Sequence, residues 1–167
     1  MNEYTVLRSN FRLANGIGNN IHGEVRFCAS SVQKPAIIIC HSFMAFKDWG
    51  FFPYVAEMLA RAGFVAVTFN FSLNGVVRHS NRITDFSSFE KNNFSQELED
   101  LNVVIDAMVN RNVSNGLIDP ERIVLLGHSR GGGIAIVKTS TDHRVKCLVT
   151  WSAIATFDRW TEHQRAQ

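Results

Sequence analysis

The stretch VLLGHSRGGG at residues 124–133 is the most informative part of the sequence, because an apolar run stops there at one serine surrounded by small residues. The segment GHSRG at 127–131 fits the pattern Gly-x-Ser-x-Gly between a predicted strand and a predicted helix. Gly127 and Gly131 would let the strand and the helix approach closely around a sharp turn. Such a turn would lift the Ser129 hydroxyl above the sheet, so we predict that Ser129 is a nucleophile. The alternative is a glycine-rich turn that carries an incidental serine.

The segments on either side of this stretch alternate between strand and helix patterns. Four runs are continuously apolar, which is typical of strands covered on both faces. The segments between them have apolar residues at helical spacing. The predicted strands are 35–41, 64–71, 121–127 and 143–153, and the predicted helices are 48–63, 94–111 and 131–140. Segments 4–14 and 21–29 are expected to form an antiparallel pair. This order predicts an α/β fold with a mostly parallel sheet and helices on both faces.

Length and composition favour one domain over residues 1–167. The chain is 46% hydrophobic and 19% charged, which is ordinary for a globular protein with its own core. A net charge of +2 and scattered basic residues favour neither a nucleic-acid partner nor a membrane partner. Because the first residues lack the apolar core of a signal peptide, a cytoplasmic location is expected.

Three cysteines, Cys28, Cys40 and Cys147, lie far apart, each in or beside an apolar run. We expect buried free thiols rather than disulfides. The sequence has no Cys-x-x-Cys pair and no clustered His and Cys residues. We therefore expect no metal site and no cofactor.

The segment GHSRGG at 127–132 resembles the α/β-hydrolase superfamily, and in particular its dienelactone-hydrolase-like and acyl-esterase-like branch. The resemblance covers nearly the whole chain and extends to segments 37–53, 62–72 and 119–129. It implies that the backbone N–H groups of Phe43 and Arg130 bind an oxyanion. This chain has Ser42 where the family usually has glycine, so either Ser42 is strained or the loop differs from the family pattern.

The resemblance also implies an acid and then a histidine after the nucleophile along the chain. Neither partner is evident in residues 130–167, and we expect a fold truncated after the sixth strand, without the C-terminal third. Asp158 is the candidate acid, and His163 and His79 are candidate bases.

The predicted function is hydrolysis of carboxylic esters or related acyl groups of small molecules through an acyl-enzyme on Ser129. A second reading keeps the fold as a non-catalytic binding or assembly module, or as a folded gene fragment. Acyl transfer and peptide hydrolysis also remain open, because the fold does not fix the function. Segment 144–151 would form an unpaired apolar edge, which predicts either self-association through this strand or a longer product.

Overall fold

The computed structural model describes residues 5–77, 80, 82–110, 113 and 116–158. Its strands are β1 (Val6–Ala14), β2 (Asn20–Cys28), β3 (Lys34–Cys40), β4 (Val65–Phe69), β5 (Ile118–His128) and β6 (Val145–Trp151). Its helices are α1 (Phe52–Arg61), α2 (Phe86–Phe89), α3 (Phe94–Val109) and α4 (Arg130–Thr141).

The strands form one sheet in the order β1-β2-β4-β3-β5-β6. The pairs β1–β2 and β2–β4 are antiparallel, whereas β4, β3, β5 and β6 run parallel to one another. The predicted antiparallel pair and the mostly parallel sheet are both confirmed. Cys40 pairs with Gly127, and His128 pairs with Trp151, so the carboxyl ends of β3, β5 and β6 meet at one edge.

Helices cover the two faces of the sheet unequally. α1 buries Phe52, Ala56 and Ala60 against one face, over β2, β3 and β4. The other face is covered by α3 and α4, which pack on the strands through the larger core cluster. Within the described ranges, no helix has the length and apolarity to cross a lipid bilayer.

The polar segment before α3 contains a helix cap and a short helix among its described residues. Asn93 caps α3, because its side chain accepts the Gln96 N–H at 2.9 Å. The short helix α2 was not predicted, and it begins where the Asp85 side chain accepts the Ser88 N–H at 3.0 Å. Four residues are too few to show helical periodicity, so the cap is its one sequence signal.

The prediction of three buried thiols is wrong for one of them. Cys28 and Cys40 are buried, but Cys147 is exposed on β6. Val149 and Trp151, on the same face of the strand, are 47% and 49% exposed. α1 does not extend over this part of the sheet, and no other described helix covers it. The apolar character of β6 therefore does not reflect burial within the described residues.

Candidate active site

Ser129 forms a one-residue corner between β5, which ends at His128, and α4, which begins at Arg130. Its backbone has φ 52° and ψ −117°, a conformation that residues with a side chain rarely adopt. The Ser129 N–H donates to the carbonyl of Trp151 at 3.0 Å, and its carbonyl accepts the N–H of Gly132 at 3.0 Å. Hydrogen bonds on both sides thus hold the strained corner in place.

The two glycines of the motif sit where a side chain has no room. A methyl group on Gly127 would lie 2.5 Å from the carbonyl oxygen of Gly131. A methyl group on Gly131 would lie 2.4 Å from the carbonyl oxygens of both Cys40 and His41. Because backbone atoms cannot move aside as a side chain can, the close approach of β3, β5 and α4 requires glycine at both positions.

The first turn of α4 presents free backbone donors beside the corner. The Gly132 and Gly133 N–H groups bind the Ser129 carbonyl, at 3.0 and 3.2 Å. The N–H groups of Arg130 and Gly131 precede them, at positions that have no acceptor within the helix. The positive end of the helix dipole lies at the same place, so the turn is suited to stabilise negative charge.

The loop after β3 forms a tight four-residue turn over residues 42–45. Its turn is closed by the Ala45 N–H, which donates to the Ser42 carbonyl at 3.2 Å. Met44 carries the positive φ of 54°, so Ser42 is not the strained residue. Met44 is the third residue of this turn, the position that glycine favours in a type II turn. Phe43 precedes it, and its ring packs 5.5 Å from that of Phe89.

His41, at the end of β3, supports this loop from beneath. Its imidazole is buried, with Nδ1 2.9 Å from the Ser42 carbonyl, and Nε2 accepts the Phe71 N–H at 3.3 Å. Nδ1 therefore carries the proton. Burial lowers the pKa of His41 to about 4; the bond to Ser42 opposes this, and the Arg130 charge adds to it. A neutral imidazole with both nitrogens engaged holds the loop in position and is not placed to take a proton.

The Arg130 side chain forms a buried ion pair that sequence reasoning missed. Its Nε donates to Glu97 Oε2 at 2.8 Å, and the other Glu97 oxygen accepts from Asn92 at 2.7 Å. Burial raises the pKa of Glu97, whereas the bond from Arg130 opposes that rise. Glu97 lies one turn before Leu101, on the buried face of α3, and an acidic residue at such a position is the signal that could have revealed the pair.

The described residues bring no base to Ser129. Within the described part of the chain, no side chain forms a hydrogen bond to the Ser129 hydroxyl. The ring of His128 packs against Phe51 at 5.2 Å, and His143 is exposed before β6, at the opposite edge of the sheet. Asp158 follows β6 and is exposed. The two candidate bases, His79 and His163, lie outside the described residues.

One cavity lies away from the corner. It has a volume of about 520 Å³ and is lined by β1, β2 and the loops after β3 and β4, including Phe11, His22, Lys47 and Asn70. None of its lining residues belongs to the segment around Ser129. In the described parts of the chain, no group of His, Cys, Asp and Glu side chains is arranged to hold a metal ion.

The alpha/beta hydrolase fold family matches residues 35–167, which is most of the chain. The chain therefore belongs to this family, and the superfamily expected from the segment around Ser129 is confirmed. The fold is the feature that places the chain in this class.

A curated relative and two solved structures illustrate the likeness. The relative, an Escherichia coli protein described as "Uncharacterized 31.7 kDa protein in traX-finO intergenic region", is 28% identical over 77% of this chain and 40% of its own. A hypothetical protein from Pseudomonas aeruginosa matches 96% of this chain and 50% of its own, with 22% identity and a TM-score of 0.74. A dienelactone hydrolase-like promiscuous phosphotriesterase from metagenomic libraries matches 89% of this chain and 59% of its own, with 14% identity and a TM-score of 0.69. The chain thus spans between two fifths and three fifths of each, and the two structures share its fold.

Proposed function

We propose that the chain carries the nucleophile of a serine hydrolase that cleaves carboxylic esters or related acyl groups. The observation that carries this proposal is the conformation of Ser129, φ 52° and ψ −117°, at the junction of β5 and α4. A functionless turn would not need a strained serine held by hydrogen bonds on both sides. The dienelactone hydrolase-like structure with the same fold supports ester chemistry for this chain.

In the proposed reaction, Ser129 Oγ attacks the ester carbonyl carbon while its proton passes to a base. The tetrahedral oxyanion accepts hydrogen bonds from the N–H groups of Phe43 and Arg130. The bond from the carbonyl carbon to the alcohol oxygen then breaks, and the alcohol leaves with the proton that the base returns. Water next attacks the acyl-enzyme in the same way, which releases the carboxylic acid and regenerates the hydroxyl.

The base of the proposed reaction lies outside the described residues. Within this chain the candidates are His163 and His79, with Asp158 as the acid that would orient the imidazole. Otherwise the base comes from a segment of a longer product or from another chain. If a histidine of this chain serves, His163→Gln or His79→Gln will lower ester hydrolysis by a factor of about 10³ or more. If neither variant differs from the wild type, the base comes from elsewhere.

The proposal is tested by covalent labelling with a fluorophosphonate probe, read by mass spectrometry of the modified peptide. Labelling forms the bond from phosphorus to Ser129 Oγ and expels fluoride, while the hydroxyl proton goes to the base. We expect labelling of the wild type and no labelling of Ser129→Ala. Ser152→Ala is the matched control, because Ser152 is exposed and, like Ser129, has a positive φ, of 48°. Labelling that persists in Ser129→Ala would overturn the proposal.

A non-catalytic module is the second candidate function. It is favoured by the lack of a described hydrogen-bond partner for the Ser129 hydroxyl. An oxyanion hole without a base retains only about 10³-fold catalysis over water. A wild type that stays folded, takes no label and hydrolyses no p-nitrophenyl ester would support this function over the first.

We further propose that β6 associates with β6 of a second copy. β6 pairs with β5 alone among the described strands, so its outer edge offers unpaired N–H and C=O groups. An antiparallel, two-fold pairing centred on Leu148 places each Lys146 opposite a Thr150, so like charges do not meet. Sedimentation is expected to show a dimer that Val149→Lys weakens, whereas Val32→Lys, at an exposed loop valine, leaves it unchanged. A wild-type monomer at high concentration would exclude this association.

A cytoplasmic location belongs to the same proposal. It rests on the three cysteines, none of which forms a disulfide with another in the described chain, as is usual in a reducing compartment. Fractionation of the producing cells would test it, and recovery outside the cytoplasm would contradict it.

A further inference from the structure

The Arg130 guanidinium lies near the faces of two aromatic rings. Its central carbon is 4.1 Å from the ring centroid of Phe94 and 5.4 Å from that of Phe43. Its Nε donates to Glu97, which is itself 3% exposed. We call Arg130, Glu97, Phe43 and Phe94 the Arg130 clamp. The clamp joins the start of α4, the start of α3 and the loop after β3.

The clamp connects parts of the site that are far apart in sequence. Under the proposed function, one oxyanion donor is the Phe43 N–H and the other is the Arg130 N–H. Phe43 lies in a four-residue turn whose third residue, Met44, has an unfavourable positive φ. Such a turn needs outside support to keep one conformation. The Arg130 side chain contacts the Phe43 ring, and the backbone N–H of Arg130 is the second donor.

The charge at the centre of the clamp is fixed rather than mobile. The Arg130 side chain is 15% exposed and that of Glu97 is 5% exposed, so solvent screens the pair weakly. Asn92 holds the second Glu97 oxygen at 2.7 Å, which fixes the orientation of the carboxylate. A planar guanidinium can bind a carboxylate at its edge while its faces stack on aromatic rings, which a lysine ammonium cannot do.

We propose that Arg130 and Glu97 are positioning residues that hold the Phe43 turn against Ser129, so that the two oxyanion donors converge on one point. This inference rests on the proposed function, because it assigns a purpose to the two donors. It goes further in giving the Arg130 side chain a role separate from that of its backbone N–H. It also makes Glu97, which does not touch a substrate, necessary for the reactivity of Ser129.

The first test measures the rate of fluorophosphonate labelling at Ser129. Arg130→Met and Glu97→Gln are expected to slow labelling at least tenfold, and Arg130→Lys is expected to restore little. Phe43→Leu removes the ring and is expected to slow labelling more than Phe43→Tyr, which keeps it. The matched control is Arg122→Met, because Arg122 forms an exposed ion pair with Asp119 on β5, and its labelling should equal the wild type.

The second test does not depend on reactivity. Hydrogen exchange of the Ala45 amide reports whether the turn is closed, since that N–H donates to the Ser42 carbonyl. Exchange is expected to be at least tenfold faster in Arg130→Met and Phe43→Leu than in the wild type, and unchanged in Phe43→Tyr and Arg122→Met. If Arg130→Met does not fold, Phe43→Leu still decides the question.

The two tests separate failure of the clamp from failure of the proposed function. A wild type that labels at Ser129, with folded clamp variants that label equally fast, overturns the clamp and leaves the function standing. A wild type that takes no label favours the non-catalytic module over the proposed function, and the exchange of Ala45 then decides the clamp alone. Unchanged exchange in the folded variants would overturn it.

Discussion

The Ser129 corner and the neighbouring β6 flank (residues 145–158) lie side by side at one edge of the sheet, yet they are built differently. At the corner, Gly131 packs directly on the backbone of β3, and a buried imidazole and a buried ion pair lie close by. On the flank, Val149 and Trp151 are about half exposed. Two hydrogen bonds of Ser129 connect the two regions: its N–H donates to the Trp151 carbonyl, and its carbonyl accepts the Ile154 N–H. The comparison shows that the backbone of a strained serine corner can be packed tightly while the strand beside it stays partly exposed on one face.

The largest effect that tests this contrast is expected from Gly131→Ala. The added methyl group would lie 2.4 Å from two backbone carbonyl oxygens, so β3 and α4 must separate. We expect the free energy of unfolding to fall by about 3 kcal/mol or more, measured by urea denaturation. Gly16→Ala is the control, because a methyl group there meets no atom within 4 Å, and its stability should match the wild type. A tolerated Gly131→Ala would show that the corner is less tightly packed than its geometry requires.

The second effect concerns the buried imidazole beneath the corner. The pKa of His41 is about 4 in the folded chain and about 6.5 when unfolded, so the unfolded chain binds this proton first as pH falls. The contribution of the neutral His41 imidazole to the free energy of unfolding is complete above pH 6.5 and is lost as pH falls from 6.5 to 4. His41→Gln keeps a donor and an acceptor but cannot titrate. Between pH 6.5 and pH 4, the free energy of unfolding of His41→Gln should therefore fall less than that of the wild type. The difference between the two falls is expected to be roughly 3 kcal/mol at pH 4.

Denaturation curves of the wild type and His41→Gln at several pH values would check this difference. The control is His143→Gln, because the exposed His143 lies at the other edge of the sheet. Parallel pH profiles for the wild type and His41→Gln would mean that the imidazole is hydrated, and that this part of the corner resembles the flank.

The third effect measures the strain at the corner itself. Ser129 has a backbone conformation that glycine adopts without cost and that other residues adopt at a cost of about 1–3 kcal/mol. Ser129→Gly is expected to be more stable than Ser129→Ala by on the order of 1–2 kcal/mol, while both variants lose labelling. Thermal and urea unfolding of the pair would measure it. Equal stability of the two variants would mean that the corner relaxes in solution and is not held under strain.

The fold could be predicted from the sequence because its signals are local. Continuous apolar runs marked the buried strands, and the small residues around Ser129 marked the turn. The features that were missed depend on residues far apart in the chain. Glu97 and Arg130 are separated by 33 positions, and no pattern in either segment shows that they pair. The positive φ falls on Met44 rather than Ser42, because the way in which the loop after β3 packs decides where the strain lies.

The exposure of Cys147 was missed for a related reason. An apolar strand shows that its residues can be buried, but burial depends on the element that packs over them. α1 covers β2, β3 and β4, and the described chain places no helix over the same face of β6. The base could not be identified from the sequence either. A histidine can act as a base only if it lies within hydrogen-bond distance of the serine hydroxyl, and that distance depends on the fold.

The smallest expected effect comes from the flank and sharpens the comparison. Val149→Ala should lower the free energy of unfolding by no more than about 0.5 kcal/mol, because the side chain is already half in water. Val67→Ala, at a fully buried valine of β4, should cost several times as much, since it leaves a cavity. Urea denaturation at low protein concentration would compare them. If the cost of Val149→Ala rises with protein concentration, a second copy covers the flank. If that cost equals the cost of Val67→Ala at every concentration, the flank is already covered within one chain. The contrast with the corner then disappears.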